Sequence, residues 1–190
     1  MKRPPEPLTV PEVELLLGAC GRAPTGVRHR ALLTLLWRTG LRISEALALE
    51  PRDVDLEGAQ LRVRHGKGDR CRVVGLDPRA RRALQDWTTT RVGLDPPQGA
   101  PVFCGIRNPG ARLNPGDVRD SLHALGRRAG IAKPVRPHGL RHTMACELAA
   151  EGVPVNVIQR ALGHSSVATT HTYLNHVAPQ EVLDCMRSRA

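Results

Sequence analysis

Between Gln60 and Leu76 the chain changes the spacing of its apolar residues, and this change limits what it can fold into. Gln60–Arg64 and Cys71–Leu76 read as short strands around His65-Gly-Lys-Gly-Asp69, with Leu61 and Val63 on one face and Arg62 and Arg64 on the other. Alternation at period two on both sides of a glycine-bearing turn predicts an antiparallel hairpin. On either side of it the apolar residues recur every three to four positions, the spacing of helices that each bury one face. The pattern is that of a helical protein with one strand excursion.

The helices can be placed by their ends. Thr9-Val-Pro-Glu12 has the form of a capping box with proline in the first turn, opening a helix whose apolar face is Val13, Leu16, Leu17 and Cys20. A second helix, from about Val27 to Arg38, is apolar around most of its circumference and is therefore expected at the centre, stopping at Gly40. Ile43–Leu49 follows as a third. Gly93–Gly116, rich in proline and glycine, reads as a long connection with one short strand at Val102–Cys104. Beyond it helices are expected at about Pro115–Ala129, Gly139–Glu151, Pro154–Leu162, Ser166–Asn175 and Gln180–Ser188. Gly163 stops the third of these, leaving His164 at a helix end, and Tyr173 lies on the next helix with Thr169 and Thr170.

Length and composition narrow the class. A chain of 190 residues can bury a core without covalent staples. It contains no apolar run near 18 residues, and its first residues, MKRPPEPLTVPEVE, have no hydrophobic segment behind their positive charges, so neither a membrane span nor a secretory leader is expected. Five irregularly spaced cysteines, Cys20, Cys71, Cys104, Cys146 and Cys185, fit buried thiols in a reducing, cytoplasmic setting better than a zinc site. The formal charge of +10 points to an anionic partner, nucleic acid before membrane. A GC-rich coding bias would give the same arginine surplus, and composition alone leaves both explanations open. There are three lysines against 25 arginines, so each lysine calls for a reason.

The polar residues fall into four short stretches. Thr39-Gly-Leu-Arg-Ile-Ser-Glu45 sets Arg42 just past a glycine stop with an acid behind it; Gly66-Lys-Gly68 tips the hairpin; His138-Gly-Leu-Arg-His142 opens a helix; and Leu162-Gly-His164 is followed by Tyr173, the single tyrosine of the chain. In this order and at these intervals, from about Leu8 to Cys185, they resemble the tyrosine recombinases, the phage integrase and Xer-like family. The H-x-L-R-H element and the later L-G-H with a tyrosine nine residues on are specific when found together.

The resemblance implies a mainly α domain with a small antiparallel β-sheet at one side, an α+β catalytic-domain fold. It implies cleavage of one strand of double-stranded DNA through a 3′-phosphotyrosyl intermediate, with neither metal nor cofactor. The chemistry suits these residue types. Bidentate guanidinium forks, here Arg42 and Arg141, stabilise the charge of a pentacoordinate phosphorus. A phenol with a pKa near 10 needs a proton acceptor, the role that falls to His138, with His164 donating to the phosphate and Tyr173 as nucleophile. Lys67 would protonate the departing 5′ oxygen. Glu45 would orient Arg42, and His142 would buttress the site.

Each residue also has a plainer reading. Arg42 alone is one more surface arginine, His138, His142 and His164 could ligate a metal although no carboxylate or cysteine is spaced to complete the site, and Tyr173 could be packing. Nicking and rejoining in the manner of type IB topoisomerases, or DNA binding without cleavage, are the competing functions. Residues 1–7 are expected as a short extension, 8–177 as the catalytic domain and 178–190 as a tail helix that exchanges between protomers, monomeric in solution and tetrameric on DNA. Only about seven residues precede the first catalytic-domain helix, where most of the family carry a separate DNA-binding domain.

Overall fold

The computed structural model describes residues 6–64 and 71–163. Seven α-helices and one small sheet lie within them: α1 (Val10–Gly18), α2 (Pro24–Thr39), α3 (Ile43–Ala48), β1 (Val54–Asp55), β2 (Gln60–Val63), β3 (Arg72–Gly75), α4 (Pro78–Val92), α5 (Pro115–Arg128), α6 (Pro137–Ala150) and α7 (Val155–Leu162). The fold is mainly α with a three-stranded antiparallel sheet in the order β1-β2-β3.

The local chemistry explains the element ends. Thr9 accepts from the Glu12 amide while the Glu12 carboxylate accepts from the Thr9 amide at 2.7 Å, so the capping box closes in both directions. Helix α2 is central, with Leu32, Leu33, Leu35 and Leu36 all at most 1% exposed, and packs on α4 and α6. Gly40 ends it with φ +62°, a left-handed conformation suited to glycine.

Beyond the strand β1 added beside the expected hairpin, three features differ from the sequence reading. Helix α4 was not expected. It buries only Ala80, Leu84 and Trp87 among many arginines, a stripe too narrow to show as periodicity, although Asp77 caps it and Pro78 opens it. Val102–Cys104 forms no strand beyond an isolated bridge between Cys104 and Arg112. The Val102 amide donates to Leu49 O and its carbonyl accepts from Trp87 Nε1, each at 2.8 Å, so its backbone groups tie helices together and are not available to a ladder. Cys20 and Cys104 are buried as expected, but Cys71, just outside β3, is exposed. The expected helices at 166–175 and 180–188 lie outside the described residues.

The sheet register positions the site. Val63 stands opposite Arg72 and Leu61 opposite Val74, so all four share one face. Arg72 therefore points toward the helices, while Val73 faces outward at 63% exposure.

Candidate active site

Arg42 is the N-cap residue of α3, where its extended backbone turns the chain out of the α2 stop. Glu45, one turn into the helix, accepts from the Arg42 amide at 2.8 Å and from Arg42 Nη1 at 2.9 Å. Arg72 reaches the same carboxylate from β3 with a two-pronged grip, Nη1 to Oε1 at 2.9 Å and Nη2 to Oε2 at 2.8 Å. The acid is 5% exposed. Burial raises its pKa, but the Arg72 bonds and charge, with the amide and guanidinium of Arg42, outweigh burial and bring it to about 2. Glu45 is thus a fixed anion between two arginines. Arg42, with its side chain about one-third exposed, extends Nη2 to within 3.4 Å of Gly163 O.

Arg141 comes to the same turn from α6. Its Nη1 donates to Gly40 O and its Nη2 to Leu162 O at 2.6 Å, and the residue is only 2% exposed. These carbonyls lie at the C-terminal ends of α2 and α7, where the helix dipoles present partial negative charge. One buried cation therefore joins two helix ends, and Arg42 holds the next carbonyl along.

His138 and His142 are one turn apart on α6. His142 is fully buried. His138 has an accessible surface in the first turn, yet the protein around it partly desolvates the ring, and the charges of Arg141, His142 and Arg42 act in the same direction, so its pKa falls below the ordinary histidine value. The shift favours the neutral imidazole, the form that can accept a proton.

The structure thus brings Arg42, Glu45, His138, Arg141 and His142 to one place, where the C-terminal end of α7 meets α3 and α6. Lys67, His164 and Tyr173 lie outside the described residues; in sequence His164 directly follows Gly163. Among the described residues no group of three or more His, Cys, Asp or Glu side chains is placed to hold a metal ion. The residue that the sequence reading missed is Arg72. Its signal was an arginine on the inward side of a strand alternation, legible only once the hairpin register is known.

Residues 6–181 match the phage integrase family. This chain belongs to that family, the tyrosine recombinases. Among its relatives, the tyrosine recombinase XerD of Bifidobacterium longum is 36% identical over 95% of the chain, and the putative integrase/recombinase y4eF of Sinorhizobium fredii is 40% identical over 88%. The chain spans 61% and 62% of the length of these two relatives. The crystal structure of XerA recombinase superposes with a TM-score of 0.85 at 32% identity, covering 98% of this chain and 65% of the other. That of XerH site-specific recombinase bound to palindromic difH substrate, a post-cleavage complex, gives 0.80 at 26% identity, with coverage of 97% and 53%. The fold is that of the tyrosine recombinase catalytic domain. No helix among the described residues is long and apolar enough to cross a membrane.

Proposed function

We propose that this chain is the catalytic part of a site-specific recombinase acting on double-stranded DNA. The observation that carries the reading is the convergence of Arg42 and Arg141, about a hundred residues apart in sequence, on the Leu162–Gly163 turn that leads into His164. In this reading the scissile phosphate sits against that turn. The Tyr173 oxygen attacks phosphorus as its proton passes to the neutral His138, and the P–O bond to the 5′ oxygen breaks as Lys67 protonates that oxygen. Arg42, Arg141 and His164 meet the charge that develops on the nonbridging oxygens. One phosphodiester is exchanged for another, so a second 5′ hydroxyl can reverse the step without a metal or another energy source.

The XerH complex, which holds its difH substrate after cleavage, supports a DNA duplex as the substrate here. On DNA the chain acts as a tetramer, and in free solution as a monomer, with residues 178–190 exchanged between protomers and 8–177 forming the catalytic domain. The test is a duplex carrying a nick near the cleavage point, on which the released fragment cannot religate. Covalent protein–DNA adduct is expected with the unaltered chain and none with Tyr173→Phe, which still binds the duplex. An adduct with the phenylalanine variant would overturn the assignment of the nucleophile. Relaxation of supercoiled plasmid without regard to sequence would move the activity to the topoisomerase type.

A further inference from the structure

A buried carboxylate beside one arginine is already paired. Glu45, however, also takes both forward nitrogens of Arg72, and the Arg72 Nε behind them is buried with no hydrogen-bond partner among the described residues. An unmet buried donor is unfavourable, and an apolar residue on the inward face of β3, beside Val74 and opposite Val63, would avoid it. The guanidinium has a second contact. A Cβ built on Gly163 would lie 3.1 to 3.2 Å from three of its atoms, so the fork is packed directly against the glycine that ends α7. Arg72 therefore touches both the residue that aims Arg42 and the turn that Arg42 contacts.

We propose that Arg72 is a positioning residue for strand cleavage: its fork fixes the Glu45 carboxylate, and through it the direction of the Arg42 guanidinium, while its plane supports the Gly163 turn. It need not touch DNA, because both forward nitrogens are engaged with Glu45. Without it, the Glu45 carboxylate retains only the amide and guanidinium of Arg42 among these bonds and is free to turn, and Arg42 turns with it. Lysine at this position keeps the charge but cannot hold two oxygens at once.

The inference rests on the recombinase reading, and two measurements separate the two. In single-turnover cleavage of the nicked duplex, Arg72→Ala should slow adduct formation about 100-fold with DNA affinity within about threefold, the signature of an interaction used in the transition state. Arg72→Lys should recover part of that loss, and Arg72→Ala combined with Glu45→Gln should be no slower than the worse single variant, since the two act as one unit. Wild-type cleavage rate in Arg72→Ala, a loss matched by weaker binding, or strict additivity would overturn the proposal.

The second measurement does not depend on cleavage. In nitrogen-15 relaxation spectra of arginine side chains, Arg42 Nε–H should be ordered in the unaltered full chain and mobile in Arg72→Ala. If Arg42 stays ordered, Arg72 does not position it, whatever the enzyme does. If the unaltered chain forms no adduct while Arg42 loosens in the variant, the recombinase reading fails and the structural coupling stands.

Discussion

Two parts of this molecule are held together by different means. The larger core runs through α1 to α6 and is built of leucine, with Leu16, Leu35, Leu36, Leu84 and Trp87 all fully buried. Among the described residues the seat of α7 has a separate, small cluster in which Ala145, Ile158 and Leu162 are the buried members, with the partly buried Met144, Leu148, Ala149 and Val153 packed against it. Beside its few described apolar residues the second region carries polar ties, from Arg141 to Leu162 O and from Arg42 to Gly163 O. Apolar burial scales with area and is indifferent to direction, whereas bonds to backbone carbonyls are directional. The large core supplies stability. The small region holds the turn before His164 by the same arginines that the proposed chemistry needs, so stability and catalysis are tied together there and separable elsewhere.

The sharpest break of that contrast is at Arg141. Arg141→Met keeps much of the volume and removes the fork, stranding Gly40 O and Leu162 O. Each buried acceptor left unmet costs about 1–3 kcal/mol, and the loss of a transition-state donor costs about 100- to 1000-fold in rate. Adduct formation on the nicked duplex should fall by at least that factor, and thermal stability should fall with it. Retention of full stability with cleavage lost would mean that the carbonyl bonds contribute little and that the two roles are separate.

Truncation of one apolar residue in each region compares the cores directly. Leu35 and Ile158 are both fully buried. Leu35→Ala should lower global stability by about 2–5 kcal/mol, because the cavity opens in the shared core. Ile158→Ala removes a similar side chain from a cluster that, among the described residues, stands apart from the main core, so it should speed amide exchange across Val155–Leu162 while leaving the global denaturation midpoint nearly unchanged. Equal midpoint shifts would show that the small cluster unfolds only with the rest.

The same contrast explains how much could be read from sequence. Helices α1 and α2 were legible because caps and broad apolar faces are written in side chains. The two-residue β1 is too short to carry a pattern, and the face of α4 is too narrow. At the site, Arg42, Glu45, His138, Arg141 and His142 were found as motif members and do converge. The partners of Arg141 were out of reach, because a backbone carbonyl leaves no mark on residue type. Arg72 was hidden by register: Leu61 and Val63 define the inward face of β2, but which β3 residues join them depends on how the strands pair across the turn. At the site, the two carbonyls held by Arg141 and a register-dependent arginine, all legible only in space, are what sequence reasoning could not supply.

The smallest effects are expected at the two glycines that border the α7 seat. Both hold left-handed backbone, with φ of +62° at Gly40 and +63° at Gly163, so alanine at either is strained by about 1 kcal/mol before any contact is considered. The contacts differ. A Cβ on Gly40 would fall 2.6 Å from Met144 Sδ and 2.7 Å from Leu162 Cδ2, where α2 meets the small cluster. The Met144 thioether is flexible, but Leu162 is fully buried and has little room to withdraw. The three nearest described atoms to a Cβ on Gly163 all belong to the Arg72 guanidinium, and that group is held from the far side by both Glu45 oxygens. Gly40→Ala should therefore be the more destabilising of the two in thermal melts. Gly163→Ala should cost little in stability and still slow adduct formation, because the added methyl presses on the fork that aims Arg42. If the order is reversed, with Gly163→Ala the less stable protein, the turn before His164 carries more of the fold than its small apolar cluster accounts for, and the division between the two regions is weaker than their packing implies.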